Sequence, residues 1–225
     1  MTQTGAWGTG RGLILDFGGV VTTDFHAALA SFCTREGLPP SAASRALRDT
    51  LAGRRALAAA ECGRISQREF EITLAGLIGA DDRGLLARAL AGLRPRGLVL
   101  DLVARVRARG IPAAVLSNSL GRGGYDLYRG YELDRRFDAV VISDRVGLRK
   151  PHPAIYRLAA GLLGVPSTSC VFADDTGANL PPAKALGMAA VLFSNAAAAV
   201  AEIERLLDRP PHGDGAPLPA MWRTG

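Results

Sequence analysis

The stretch LILDFGGVVTTDF, residues 13–25, runs an apolar segment into an aspartate, adds two glycines and returns to apolar residues. LILDF (13–17) has the length of a strand. Hydrophobicity unbroken to the end of such a run marks a parallel strand covered on both faces, not one alternating between core and solvent. Two readings of its terminal charge stand open: Asp16 starts a structural turn, or it is a nucleophile held at a strand end. GTGRG (8–12) does not qualify as a dinucleotide loop, because that loop follows a strand and does not precede one.

Four more segments share this character: AAVLS (113–117), AVVIS (139–143), CVFAD (170–174) and AAVLF (189–193). Helical patterns at 97–110, 153–164, 179–188 and 196–208 separate them. Strands alternating with helices predict an α/β fold with a doubly wound parallel sheet. The exception is residues 24–94, which carry helix signals and no convincing strand. Ser66 and Glu69 form a capping box opening SQREFEITLAGLIG, apolar at Phe70, Ile72, Leu74, Leu77 and Ile78. About 70 residues is too long for one crossover helix. The expected organisation is a core of residues 11–23 and 95–208 with an all-helical insertion at 24–94. Residues 1–10 and 209–225 are expected to be flexible ends, the tail from Pro210 being rich in proline and glycine.

A chain of 225 residues with 48% hydrophobic content supports one buried core with a small accessory domain. The net charge of +6 comes from 25 arginines and only two lysines, Lys150 and Lys184. The arginines are scattered without aromatic interleaving, so a nucleic-acid partner is not expected, whereas an anionic substrate fits. Three cysteines without CxxC spacing argue against a disulfide framework or a zinc site and suit a reducing compartment. The start lacks the pattern of a signal peptide, and no apolar run reaches the ~20 residues needed to span a bilayer. The expectation is a soluble cytoplasmic protein with no membrane partner, monomeric or homodimeric.

In an open parallel sheet, ligands bind beyond the carboxyl ends of the strands. Asp16, Ser117-Asn118, Lys150 and Asp174-Asp175 fall there or in the loops just after. Singly, each has a plain structural reading: a strand-terminal Ser caps a turn, and a loop lysine is solvated. Lys150, however, is wedged between Arg149 and Pro151 in a chain that has only one other lysine. Adjacent carboxylates at the end of a buried strand repel each other unless a positive charge is present. Mg²⁺, which accepts a few carboxylates and keeps several waters, satisfies them. Together these groups describe phosphoryl transfer, in which a carboxylate attacks phosphorus and forms an aspartyl-phosphate. A metal and a lysine neutralise the phosphate, while a hydroxyl and backbone N–H groups hold its oxygens. Gly18 and Gly19 let the backbone approach the phosphate closely.

LILDFGGVVTTDF, AVLSNS (114–119), GLRKPHPAIY (147–156) and VFADDTGANLPPAKALGM (171–188) resemble the four ordered motifs of the haloacid dehalogenase-like hydrolases. The last two are especially similar to the phosphatase domain at the N-terminus of soluble epoxide hydrolases. The resemblance spans residues 11–208 and implies a Rossmann-like core with a helical cap inserted after the first strand. It implies that Asp16 is the nucleophile and a Mg²⁺ ligand, joined by the Gly18 carbonyl and Asp175. Ser117 and Asn118 would bind phosphate beside Gly18 and Gly19, and Lys150 would pair with phosphate and Asp16. Asp174 would stand behind the ion's direct ligands, and Asn179 would support their loop. The implied activity is a Mg²⁺-dependent phosphatase for a small phosphorylated metabolite.

One position departs from the family pattern. Most of its phosphatases carry a second aspartate where this chain has Gly18, and such general acid–base assistance is worth about 10²–10⁴-fold. Three outcomes are open. Asp24 or His26 supplies the proton; the leaving group needs little protonation; or the chain is a regulatory protein that binds a phospho-ligand without hydrolysing it. Transfer to a second acceptor is a further reading. The phosphonate-cleaving branch needs a cap lysine, and residues 24–94 contain none. The dehalogenating branch attacks carbon and does not require the metal, and is matched less well by Gly18 and Asp174-Asp175. His152 reads as part of the loop-to-helix turn PHP, and the cysteines read as core.

Overall fold

A computed structural model describes residues 10–209, so the expectation of flexible ends falls, apart from residues 10 and 209, outside the described range. In chain order, the described elements begin with strand β1 (Gly12–Leu15). Five helices follow: α1 (Phe25–Arg35), α2 (Ala42–Asp49), α3 (Leu51–Glu61), α4 (Gln67–Ile78) and α5 (Leu85–Leu90). The chain then alternates through α6 (Gly97–Ala108), β2 (Ala113–Ser117), α7 (Leu133–Arg136), β3 (Ala139–Ile142), α8 (Ser143–Val146) and α9 (Pro153–Leu163). It closes with β4 (Cys170–Asp174), α10 (Leu180–Ala185), β5 (Ala189–Leu192) and α11 (Ala196–Asp208).

The strands form one parallel sheet in the order β3-β2-β1-β4-β5. Alternate residues of each strand point to opposite faces. Leu13 and Leu15 pack with Val99, Val103 and Val106 of α6 and with Val200 and Ile203 of α11. Ile14 and Phe172 face Ile155, Tyr156 and Ala159 of α9 and Ala183 of α10. Because helices cover both faces, no strand position of β1, β2 or β4 is exposed, and this is why each reads as a continuous apolar run. This is the predicted α/β Rossmann-like architecture. In register, Leu15 pairs with Val115 and with Ala173, so Asp16, Ser117 and Asp174 follow at one end of three neighbouring strands.

Two local differences from the sequence reading stand out. β1 stops before Asp16, and Phe17–Val21 form one wide helical turn, closed by Thr22 N–H on the Phe17 carbonyl and broken in regularity at Gly18 and at Gly19, which has φ +82°. Ser143, expected to end a strand, instead opens α8. Neither α7 nor α8 was anticipated, since four residues are too few to show a helical period.

Helices α1–α5 bury an apolar cluster of their own that includes Leu29, Phe32, Phe70, Leu74, Leu85 and Leu86. The capping box is present at the start of α4: Ser66 Oγ accepts from Glu69 N–H at 3.2 Å, and Glu69 Oε2 accepts from Ser66 N–H at 2.7 Å. The two connections between this segment and the sheet pair with each other. Thr23 N–H donates to the Arg94 carbonyl at 2.8 Å and Arg96 N–H to the Val21 carbonyl at 2.8 Å, flanking an antiparallel bridge between Thr22 and Pro95.

Candidate active site

Asp16 is anchored by its own N–H, which donates to the Ala173 carbonyl of β4 at 2.9 Å. The Lys150 ammonium reaches the same place from the loop after α8. Its Nζ donates to Asp16 Oδ1 at 2.6 Å and to Asp174 Oδ2 at 2.7 Å. Lys150 is 2% exposed, Asp16 8% and Asp174 0%, so three charges are withdrawn from water. Such burial is tolerated only with close pairing and further hydrogen bonds. Asp174 has both. Besides Lys150, it accepts from Thr176 N–H at 2.8 Å and, through both oxygens, from Asn179 Nδ2 at 3.0 Å.

Asp175 is half-buried, with Oδ1 accepting from Thr176 Oγ1 at 3.2 Å. Its Oδ2 lies against the backbone of residue 19, where a Cβ would stand 2.0 Å away. The close approach and the positive φ together require glycine. One oxygen from each of Asp16, Asp174 and Asp175 lies within 4.8 Å of the others. Three carboxylates facing one ammonium leave excess negative charge on hard oxygen donors, and this suits a divalent cation such as Mg²⁺. Asp174 is already saturated by nitrogen donors, leaving Asp16 and Asp175 as the side chains that fit direct ligation.

The electrostatics agree with this crowding. Burial pushes the Asp16 carboxyl up to about 7; Lys150 opposes that rise, and the charges of Asp174 and Asp175 add to it. Asp175 is also raised, by burial and Asp174, against the pull of Thr176, His26 and Lys150. Burial lowers the Lys150 pKa, but Asp16 and Asp174 outweigh it and the net shift is upward, so the lysine is a fixed cation.

Ser117 and Asn118 sit on the other flank. Ser117 is buried, with Oγ 2.9 Å from Tyr128 Oη. The Asn118 side chain clamps the main chain of Lys150: Oδ1 accepts from Lys150 N–H at 2.9 Å, and Nδ2 donates to the Lys150 carbonyl at 3.0 Å. Nδ2 also donates to Glu61 Oε1 at 3.2 Å. The amide side chain is thus committed to protein partners. Sequence reasoning missed Glu61 and Tyr128, which come from a helix of the insertion and an irregular segment and carry no local signal. Tyr128 also lines a cavity of about 270 Å³ with Gln67, Leu86, Leu90, Ser119 and Asp144.

A Cβ at Gly18 would meet only the Phe25 side chain, at 3.7 Å and beyond. Asp24 is exposed, and its Oδ1 accepts from Ala27 N–H at 3.0 Å as the N-cap of α1. His26 is exposed and close enough for its charge to stabilise the Asp175 carboxylate. His152 caps α9, its Nδ1 accepting from Ala154 N–H at 3.3 Å. Cys33 and Cys170 are buried and Cys62 half-buried, all as free thiols. Among the described residues, no helix is long and apolar enough to cross a membrane.

A family profile described as haloacid dehalogenase-like hydrolase matches residues 11–187. Bifunctional epoxide hydrolase 2 of Mus musculus is 40% identical over 75 residues, which is 33% of this chain and 14% of that protein. The chain therefore spans a small part of the length of these curated relatives. Fructose-1-phosphate phosphatase YqaB of Escherichia coli is 38% identical over 80 residues, 36% of this chain and 43% of the relative. A HAD family enzyme of Bacteroides thetaiotaomicron, solved in complex with magnesium and inorganic phosphate, shares the fold with a TM-score of 0.59 and 21% identity. That alignment covers 80% of this chain and 92% of the other. Solved dehalogenases share the fold as well.

Proposed function

The chain belongs to the haloacid dehalogenase-like hydrolase family and is a hydrolase, and we propose that it is a Mg²⁺-dependent phosphatase acting on a small phosphorylated metabolite. The observation that carries this reading is the Lys150 ammonium bonded to both Asp16 and Asp174, with Asp175 completing a compact carboxylate cluster. Attack on the carbon of a halide needs no such cluster of carboxylates, whereas holding a divalent cation beside a phosphate does.

Asp16 and Asp175, with the Gly18 carbonyl, would hold Mg²⁺, and Asp174 would orient Lys150 behind them. When bound, the ion supplies positive charge that lets a carboxylate approach a phosphate dianion. Lys150, Ser117 Oγ and main-chain N–H groups around Gly18, Gly19 and Asn118 orient the phosphoryl oxygens. One Asp16 oxygen attacks phosphorus, the bond from phosphorus to the leaving oxygen breaks, and the departing alkoxide takes a proton. Water then gives a proton back to the group that supplied one and attacks the phosphorus of the aspartyl-phosphate, breaking the bond from phosphorus to the Asp16 oxygen and releasing inorganic phosphate. Residues 24–94 would act as a cap over the core of residues 11–23 and 95–208, excluding water from the first transfer. His26 is the better placed of the two candidate proton donors, because Asp24 is engaged as a helix cap.

Asp16→Asn removes the nucleophile and preserves the shape of the side chain. It is expected to abolish Mg²⁺-dependent phosphate release across a panel of phosphorylated metabolites while circular dichroism stays unchanged; wild-type turnover in this variant would refute the assignment. The bare Cα at Gly18 favours a second reading, a protein that binds its phospho-ligand without turnover. Saturable binding by the wild type with no phosphate released would select it.

A further inference from the structure

Resting on the phosphatase reading above, we propose that Glu61 is a positioning residue that makes the placement of Lys150 depend on the seating of the helical insertion. Glu61 is the last residue of α3, far in sequence from the sheet, yet it is 7% exposed. Its Oε1 accepts from Asn118 Nδ2 at 3.2 Å, and its Oε2 forms an ion pair with Arg149 Nε. These partners are the two that control Lys150. Arg149 precedes it in the chain, and Asn118 holds both its N–H and its carbonyl.

An asparagine amide has two N–H donors and one carbonyl acceptor. With Lys150 taking one donor and the acceptor, Glu61 takes the second donor, and the clamp is complete only with the insertion in place. The turn after α3 is pressed against α8: a Cβ on Gly63, at φ +66°, would stand 2.5 Å from the Asp144 carbonyl. Withdrawing α3 by about 1 Å would stretch the Glu61–Asn118 contact beyond hydrogen-bond range. It would also part a buried carboxylate from its guanidinium. A misplacement of about 1 Å can cost about 10²-fold in rate. Lys150 would thus be fixed against Asp16 and Asp174 only when the site is covered.

A second tie between insertion and core provides the control. The Gln67 amide bonds the main chain of Tyr125, accepting at 2.7 Å and donating at 2.9 Å, and does not touch Asn118. Glu61→Ala, with Glu61→Gln as the variant that keeps the volume, is compared with Gln67→Ala in the full chain. The readouts are kcat and KM for phosphate release, and the exchange rate of the Lys150 amide hydrogen by NMR. The expected result is a fall in kcat of tenfold or more for Glu61→Ala, with KM changed much less and Lys150 amide exchange accelerated at least tenfold. Gln67→Ala should leave that amide protected. Wild-type exchange at Lys150 in both Glu61 variants would overturn the proposal, as would equal acceleration in Gln67→Ala. If the wild type releases no phosphate, the phosphatase reading fails, and the exchange measurement still decides the role of Glu61.

Discussion

At the scale of single residues, the site depends on one buried ammonium shared between two carboxylates. Lys150→Met keeps much of the volume and deletes the charge, leaving Asp16 and Asp174 without it. Removing one partner of a buried pair typically costs about 3–5 kcal/mol. Urea denaturation at pH 8 without Mg²⁺ should show a loss of that size together with lost activity. Gly18→Asp tests the other unusual position. A Cβ at Gly18 meets nothing closer than 3.7 Å, so the backbone there does not itself demand glycine. The expected outcome is an increase in kcat of about 10²-fold, measured as phosphate release. An unchanged rate would show that another group already supplies this proton or that the leaving group needs none. Lys150 was legible in the sequence because a chain of arginines places a lysine beside a proline after a strand. Asp174-Asp175 was legible because two charges end an apolar run. Tyr128 and Glu61 were not, because their roles arise only when distant segments meet, and nothing beside them in sequence changes character.

Among the elements, those with long or repeated patterns were readable. Each of the five strands lies within a residue or two of its apolar run, and α4 begins at the Ser66 capping box. That box is exposed and its contribution is local. Ser66→Ala is expected to cost about 1 kcal/mol in thermal or urea unfolding, with the kinetics of the site unaffected. A larger kinetic effect would mean that the start of α4 bears on the core. The turn at Phe17–Val21 was harder to read. Its backbone is set by the fit of Gly19 under Asp175 and by Phe17 packing against Tyr128 in a tilted pair and Tyr131 in an edge-to-face pair, with ring centroids at 4.9 and 4.8 Å. Those are tertiary facts, invisible to a local window. Helices α7 and α8 escape a local window for a different reason, four residues being too few to show a helical period.

For the whole molecule, the sheet order places β1 centrally, with β2 and β4 on either side, so groups from three strands share one end. The resulting crowding of carboxylates gives folding stability a pH dependence. Asp16 has a folded pKa of about 7 against an ordinary value of 3.8. A carboxyl raised on folding contributes stability that is complete below its ordinary value and is lost as pH rises through the folded one. Without metal, this contribution is present at pH 5.5 and largely gone at pH 8. Mg²⁺ competes with the proton, so its affinity should fall as pH drops below about 7. A ligand at a hundred times its Kd stabilises by about 2.7 kcal/mol. Calorimetry should therefore find Mg²⁺ raising Tm more at pH 8 than at pH 5.5. Equal shifts at both values would count against direct ligation by Asp16.

The pairing of Thr22–Thr23 with Arg94–Arg96 means that the chain leaves the sheet and comes back through a single doorway. What hangs beyond that doorway imposes no length or direction on the strands, because both posts are already joined. A graft of different size or shape could be spliced between Thr23 and Arg94 with the sheet left as it is. The strands are in that sense inherited apart from what is spliced in, whereas a graft that omits a carboxylate in the place of Glu61 would leave the Asn118 clamp on Lys150 one partner short.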